Sequence, residues 1–195
     1  MGRQFLIPAL PAFFERYPGV KLDLQFTDEV VDLLEVRADV AIRSGPLKDS
    51  RLVARRLGAS RHLVVASPDY LARQGTPQHP IELAQHNCLG FNFRRAELEW
   101  PFAGRDETEP EPSGNAQVSD GESLRQMVLA GLGLARLATF QVRDDIAAGR
   151  LVAVLEAFNP GDMKPMHALY LGKGGHLPAR VRAVLDFLAE HVRID

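Results

Sequence analysis

The 195 residues include a single cysteine, Cys88, which excludes an internal disulfide and suits a reducing compartment. Neither sign of charge dominates. With 23 Lys plus Arg against 25 Asp plus Glu, the net charge of -2 implies no polyanion-binding surface, so these residues are not expected to bind duplex DNA directly. No apolar run approaches the roughly 18 residues needed to span a bilayer. Residues 1–8 carry one basic side chain and too short an apolar stretch for a signal peptide. The expected setting is therefore the cytoplasm, with no membrane partner. No internal repeat is evident at the level of residue identity.

Signatures of catalysis are equally scarce. The histidines at 62, 79, 86, 167, 176 and 191 form no H-x-x-x-H or H-E-x-x-H spacing. With one cysteine, a zinc site would have to assemble from distant ligands, so neither metal nor cofactor is expected. There is no Gly-x-Ser-x-Gly nucleophile elbow. Cys88 lies in an apolar strand pattern, where a buried and inert thiol is expected. Gly131-Leu132-Gly133 follows a helical pattern and precedes a strand, the reverse of the order that places phosphate on a helix N-terminus, and reads as a helix stop. Gly172-Lys173-Gly174-Gly175 follows the last strand without the Ser or Thr of a P-loop and reads as a turn. No catalytic residues are assigned, and the chain is expected not to be an enzyme.

What is present is an alternation of helix and strand. At 46% hydrophobic the chain can bury a sizeable core. Phe5, Leu6, Ala9, Leu10, Phe13 and Phe14 recur at helical spacing, and the helix should stop at Tyr17-Pro18-Gly19. Val20, Leu22, Leu24 and Phe26 alternate at strand period. A helix is expected over 30–36 and strands over 38–42, 52–57 and 62–66, with Ser67-Pro68 starting a short helix. Residues 75–86, rich in Pro, Gln and His, read as a connection. Strands follow at 88–91 and 97–102, then an acidic, proline-bearing loop over 106–112 and a strand at 116–118. Helix 122–130, strand 134–137, helix 139–148, strand 151–155, strand 167–171 and helix 179–192 complete the series. In the last helix Val181, Val184, Leu185 and Leu188 should form the buried stripe. Such alternation argues for βαβ units and a parallel or mixed sheet.

Five motifs in order, Tyr17-Pro-Gly-Val20, Asp39-Val-Ala-Ile-Arg43, Ser67-Pro-Asp-Tyr70-Leu71, Ala130-Gly-Leu-Gly133 and Ala148-Gly-Arg-Leu-Val152, resemble the effector-binding domain of LysR-type transcriptional regulators. The resemblance covers nearly the whole chain. It implies an α/β fold of two Rossmann-like lobes joined by two crossings, like type II periplasmic binding proteins. On that reading residues 1–88 with 167–195 form the first lobe and 89–166 the second. A ligand would lie in the cleft between lobes. The family's winged helix-turn-helix and linker helix are not among these residues. Nor is the strand that precedes the first helix in the family, so the first-lobe sheet is expected to have a gap between strands 20–26 and 38–42, to be filled by a neighbouring chain or to leave that lobe less ordered.

The resemblance carries ligand contact to Thr27, Arg43, Ser44, Phe91, Asn92, Ser119 and Asp120, with Phe91 and Asn92 at the first crossing. From the residues themselves, Ser119-Asp120 stands ahead of an apolar-periodic helix, and Thr27-Asp28 holds the equivalent place before helix 30–36. Free N–H groups at two helix starts favour a small anion or carboxylate as effector; simple capping accounts for the same residues equally well. Arg43, ending a strand, either braces a loop or meets the ligand. The resemblance also implies a homodimer or tetramer in which the first helix (Leu6, Leu10, Phe13) meets the second-lobe helix (Leu124, Met127, Val128) of a partner. The function so implied is effector sensing for a regulator of transcription. A free-standing solute-binding protein of the periplasmic type is the alternative.

Overall fold

The computed structural model describes residues 1–28, 33, 37–45, 52–93, 100–104, 111–172, 177–192 and 194. In chain order the elements are α1 (Ile7–Arg16), β1 (Val40–Ser44), β2 (Leu52–Ser60), β3 (His62–Ala66), α2 (Pro68–Gln74), β4 (Gly90–Phe91), β5 (Gln117–Val118), α3 (Gly121–Leu129), β6 (Ala135–Ala138), α4 (Thr139–Ala147), β7 (Val152–Val154), β8 (Lys164–Leu171) and α5 (Ala179–His191). They divide into two units, one of Met1–Phe26, Val30–Ser60 and Met163–Asp195, the other of Thr27–Glu29 and Arg61–Asp162. Apart from the excursion of Thr27–Glu29, the chain changes unit after Ser60 and after Asp162, whereas the expected changes lay after Cys88 and before His167. β3 and α2 accordingly belong to the second unit.

The first unit is a three-stranded antiparallel sheet in the order β1-β8-β2 with two helices. The apolar spacing of α1 brings Phe13, 2% exposed, edge to face with Phe187 of α5, ring centroids 5.1 Å apart. Burying one such ring contributes on the order of 2 kcal/mol. Arg16 adds an ion pair to Glu190 at 2.6 Å. The helix ends where Tyr17 donates its N–H to the Phe13 carbonyl and Pro18 follows. In α5 the buried stripe is Val181, Leu185 and Leu188 joined by Ala183 and Phe187; Val184, expected in it, is only half-buried.

Two expectations for this unit change. Residues 20–26 do not form a strand, because no described segment offers them a ladder, and Leu24 and Phe26 stay exposed. Only Leu33 of the expected helix 30–36 is described, so that helix lies outside the described residues. At the other edge, β2 bulges between Arg56 and Gly58. Gly58 there forms a parallel bridge to Ile194, whose carbonyl accepts from the Ala59 N–H at 3.1 Å.

The second unit is built on β3, flanked by β6 and β7, both antiparallel. β3 is apolar from Leu63 to Ala66, and both of its faces are covered. Leu63 and Val65 meet Leu124 and Val128 of α3, while Val64 and Ala66 meet Tyr70, Leu83 and Trp100. Parallel pairing, expected to be widespread, is confined to the two-residue ladder β4–β5 and isolated bridges at Cys88–Leu134 and Gly58–Ile194 among the described residues. Residues 80–85 of the expected connection wind into a 3-10 turn, Pro80–Gln85, that buries Leu83. The strand expected over 97–102 is not found in its described part: residues 100–102 are irregular, and 94–99 lie outside the described residues, as do 105–110 and 173–176.

Sequence signals for helix ends hold well. The Ser67 hydroxyl accepts from the Tyr70 N–H at 3.3 Å to cap α2. α3 stops in a Schellman turn, with Leu132 N–H donating to Met127 and Gly131 N–H to Val128, and Gly131 at φ 75°. Between α3 and α4, Asp145 has no exposed side-chain surface and accepts from Arg125 and from Arg150. Burial pushes its carboxyl up, yet the hydrogen bonds and charges of the two arginines outweigh that and hold it below the usual carboxylate range.

Candidate functional site

The second unit gathers five of the seven candidate ligand residues. β4 pairs in parallel with β5, and the Asn92 N–H donates to the Val118 carbonyl at 3.0 Å, so Phe91 and Asn92 come beside Ser119 at the ends of the two strands. Phe91 and Asn92 therefore lie within the unit and not at a crossing. The Phe91 ring packs at 5.3 Å against Phe93 and is half-buried; Asn92 and Ser119 are exposed. Thr27 enters the same unit through its neighbour Asp28, whose carboxylate accepts from the Gly121 N–H at 2.6 Å.

That bond changes the expectation of free N–H groups ahead of α3. Asp120 is the cap, accepting from Glu122 and Ser123 N–H at 3.1 and 3.0 Å and from the Ser123 hydroxyl at 2.6 Å. Asp28 takes Gly121. Three N–H groups of the first turn therefore already face carboxylates, the sign of charge that a helix N-terminus favours. An arriving anion would have to displace Asp28. A side chain at Gly121 would press on the amide end of Gln141, which would have to move aside. Ser119 keeps its hydroxyl uncommitted among the described residues.

Arg43 and Ser44 stand in the first unit as the last two residues of β1. They face opposite sides of the sheet, since neighbours in a strand alternate. Ser44 lies opposite Met166, and Arg43 opposite His167. His167 in turn lies opposite Arg56 of β2. Arg43 Nη2 and His167 Nδ1 are buried with no hydrogen-bond partner among the described residues. On the reverse face Arg55 reaches Asp186 of α5 at 2.6 Å.

Three of the six side chains expected at a subunit interface are spent inside the chain. Phe13 lies in the first unit's core, and Leu124 and Val128 in the second's, because the apolar stripe of each helix is needed by its own unit. Leu6, Leu10 and Met127 are half-buried, and the large apolar side chains of α1 that protrude are Ile7 and Phe14, 43% and 39% exposed.

Other chemistry-bearing groups are committed locally. Burial pushes the Cys88 thiol up to about 12, and its sulfur contacts the Leu83 carbonyl, as expected of an inert thiol. The Tyr70 hydroxyl meets His86 at 3.2 Å and accepts from the Asn87 N–H at 3.0 Å. Burial pulls Arg136 below its ordinary value, opposed by the Asp162 carboxylate 3.7 Å away. No group of three or more His, Cys, Asp or Glu that could hold a metal ion is found among the described residues. Sequence reasoning singled out neither Asp28 as a bond to α3 nor His167 and Arg56. The first is a contact across 93 positions, and the others become neighbours only through strand register.

The chain is 39% identical over 192 residues to the HTH-type transcriptional regulator CrgA of Neisseria meningitidis serogroup C, covering 98% of this chain and 64% of CrgA. An uncharacterized HTH-type transcriptional regulator of Haemophilus influenzae is 32% identical over 184 residues, covering 94% of this chain and 63% of that one. The chain thus spans less than two thirds of these relatives. Among solved structures, the CrgA regulatory domain superposes with a TM-score of 0.87 at 38% identity, covering 98% of this chain and 94% of that domain. Full-length AphB of Vibrio cholerae gives 0.77 at 28% identity, covering 97% of this chain and 64% of AphB. The fold is the type II periplasmic-binding-like α/β fold, and the relatives are regulators, which leaves the free-standing solute-binding alternative unsupported. The model of the LysR substrate binding domain matches residues 1–193, and the chain belongs to that family.

Proposed function

We propose that the chain is the effector-sensing part of a LysR-type transcriptional regulator, acting in the cytoplasm and without catalytic activity of its own. The match to the CrgA regulatory domain across 98% of the chain carries this reading. Among the described residues no helix is long and apolar enough to cross a membrane. The polar groups left for a small-molecule effector are Ser119 and Asn92 in the second unit and Arg43 in the first. Thr27, Ser44, Phe91 and Asp120 shape their surroundings, Asp120 as a cap. Effector binding would shift a conformational equilibrium that an attached DNA-binding domain reads.

A thermal-shift screen of small carboxylates and neutral metabolites tests this, since a ligand at about 100 times its Kd stabilises by roughly 2.7 kcal/mol. Ser119→Ala should weaken the hit by about 0.5 to 1.5 kcal/mol. A screen without hits, or specific promoter binding by this chain alone, would contradict the reading. Self-association as a homodimer or tetramer is proposed through the exposed side of α1, Ile7 and Phe14 with Leu6 and Leu10, and through Met127. Sedimentation of Phe14→Glu should then show a smaller species than the unaltered chain.

A further inference from the structure

Two residues of the second unit that the candidate site leaves unused, Tyr70 and His86, begin a chain of hydrogen bonds that runs to the base of β4. Tyr70, on α2, is buried; its hydroxyl oxygen lies 3.2 Å from His86 Nδ1 and accepts from the Asn87 N–H at 3.0 Å. A phenolic oxygen carries one hydrogen. His86 Nδ1 is the acceptor within its reach among the described residues, so the neutral imidazole takes that hydrogen bond on Nδ1 and carries its own hydrogen on Nε2. From Asn87 the chain spreads. The Asn87 carbonyl accepts from the Leu134 N–H at 2.9 Å, and the side-chain amide donates to the Leu132 carbonyl at 2.8 Å and to Asn115 Oδ1 at 3.0 Å. The Asn115 N–H returns a bond to Asn87 Oδ1 at 2.9 Å. One residue thus ties the turn after α3 and the approaches to β5 and β6 to the approach to β4.

A second proton on the imidazole defeats this arrangement. Nδ1 then presents a hydrogen and no longer accepts one, so the hydroxyl hydrogen of a buried tyrosine is left without its acceptor. We propose that His86 is a proton switch: when its imidazole gains a proton, the Tyr70 hydroxyl parts from it, the Asn87 N–H loses its seat, and the approaches to β4 and β5 loosen together. The β4–β5 ladder is two residues long, and Phe91, Asn92 and Ser119 stand at its far end, so on the effector-binding reading acid would weaken the ligand's seat. The switch itself does not depend on that reading. Burial pulls the imidazole below its ordinary 6.5, opposed by the Glu82 carboxylate on the 3-10 turn. On α2, burial pushes the Tyr70 phenol up, and Arg73, whose charge acts on that phenol, is bonded to the Gly131 carbonyl at 2.8 Å. On the chain that follows, the Cys88 thiol is pushed up and stays neutral. The folded chain therefore favours the neutral imidazole. The contribution of the network is present above the unfolded value near 6.5 and is lost as pH falls through the folded one.

Nuclear magnetic resonance titration of the whole chain, without ligand, from about pH 7.5 to about pH 5 tests it. The His86 ring resonances should show a midpoint below 6.5, and the backbone amides of Asn87, Asn115 and Leu134 should shift at that same midpoint. Hydrogen-exchange protection of the Leu134 amide should fall about ten-fold across the range. His86→Gln, whose side-chain oxygen still accepts from Tyr70 but takes up no proton, should hold these amides and their protection constant. Tyr70→Phe removes the bond that favours the neutral ring, so the His86 midpoint should rise by about 0.5, a three-fold gain in proton affinity. A His86 midpoint at or above 6.5 overturns the proposal, as do amides that move at a different midpoint or that still move in His86→Gln. So does a Tyr70→Phe chain whose His86 midpoint stays where it was, since a histidine that is merely buried there would titrate alike beside either ring. If His86→Gln does not fold, the unaltered chain and Tyr70→Phe decide the matter. Failure here leaves the effector-binding reading standing, because that reading falls only with the thermal-shift screen or with promoter binding.

Discussion

In the second unit Asp145, with no exposed side-chain surface, is met by Arg125 and Arg150, whereas in the first Arg43 and His167 hold buried nitrogens with no partner among the described residues. The first unit's ion pairs, such as Arg55–Asp186, lie at the surface with each side chain about half exposed. The second unit thus joins two helices through a buried charge, whereas the first joins its helices through exposed pairs and leaves buried basic nitrogens without a partner among the described residues. The contrast separates positions where a substitution should destabilise from positions where it should alter binding.

The sharpest break is expected at Asp145→Asn, which leaves Arg125 half-enclosed beside a neutral group. Removing one partner of a buried pair costs about 3 to 5 kcal/mol, and the exposure of Arg150 reduces this to about 2 to 3. Trp100, the single tryptophan, is buried in the second unit, so its fluorescence in urea reports that loss directly. The same residue sets an acid dependence. Its folded carboxyl lies below the unfolded value, so its contribution is present above the unfolded value near pH 4 and is lost as pH falls through the folded one. Unfolding midpoints of the unaltered chain and Asp145→Asn should therefore converge in strong acid.

Gly58→Ala comes next, because a methyl group there would run into the Ile194 carbonyl while φ of 152° disfavours a side chain. A loss of about 2 kcal/mol is expected in the far-ultraviolet circular dichroism melt, with the Trp100 signal less affected. Ser67→Ala should cost about 1 kcal/mol through the lost α2 cap, measured by urea titration. Asp186→Asn, by contrast, should change stability by less than about 1 kcal/mol, as exposed pairs do. If it matched Asp145→Asn, the contrast between units would be lost. A last test concerns chemistry more than stability. Ellman's reagent should label Cys88 only as urea unfolds the second unit, because burial holds the thiol near 12.

Much of this was legible from periodicity and caps. α1, α3, α4 and α5 begin and end within about two residues of the expected places, as helix ends usually do. The failures share a physical origin in contacts distant along the chain. Residues 20–26 alternate like a strand, but alternation specifies a face and not a partner. The change of unit after Ser60 carries no compositional mark, because β2 and β3 are separated by Arg61 alone. The Pro- and Gln-bearing stretch 75–86, which reads as a mere connection, tucks Leu83 into the core. Asp145 sits in Arg143-Asp144-Asp145, which looks like any solvated run until α3 brings Arg125 over it. Of the candidate site, Ser119 and Asp120 were readable as a helix start. His167 was not, since a lone histidine acquires meaning only when register sets it between two arginines.

The bridge between Gly58 and Ile194 bears on behaviour in crowded solution. β2 forms a margin of its sheet, and such margins display unpaired amides that a strand from another molecule can adopt as its own. At Ala59 the amide is already engaged by the Ile194 carbonyl, and the bulge beside it twists the margin out of line. Ile194 thus acts as a guard rail at this point of the β2 margin. A protein without that contact should remain folded when dilute and grow adhesive as its concentration rises.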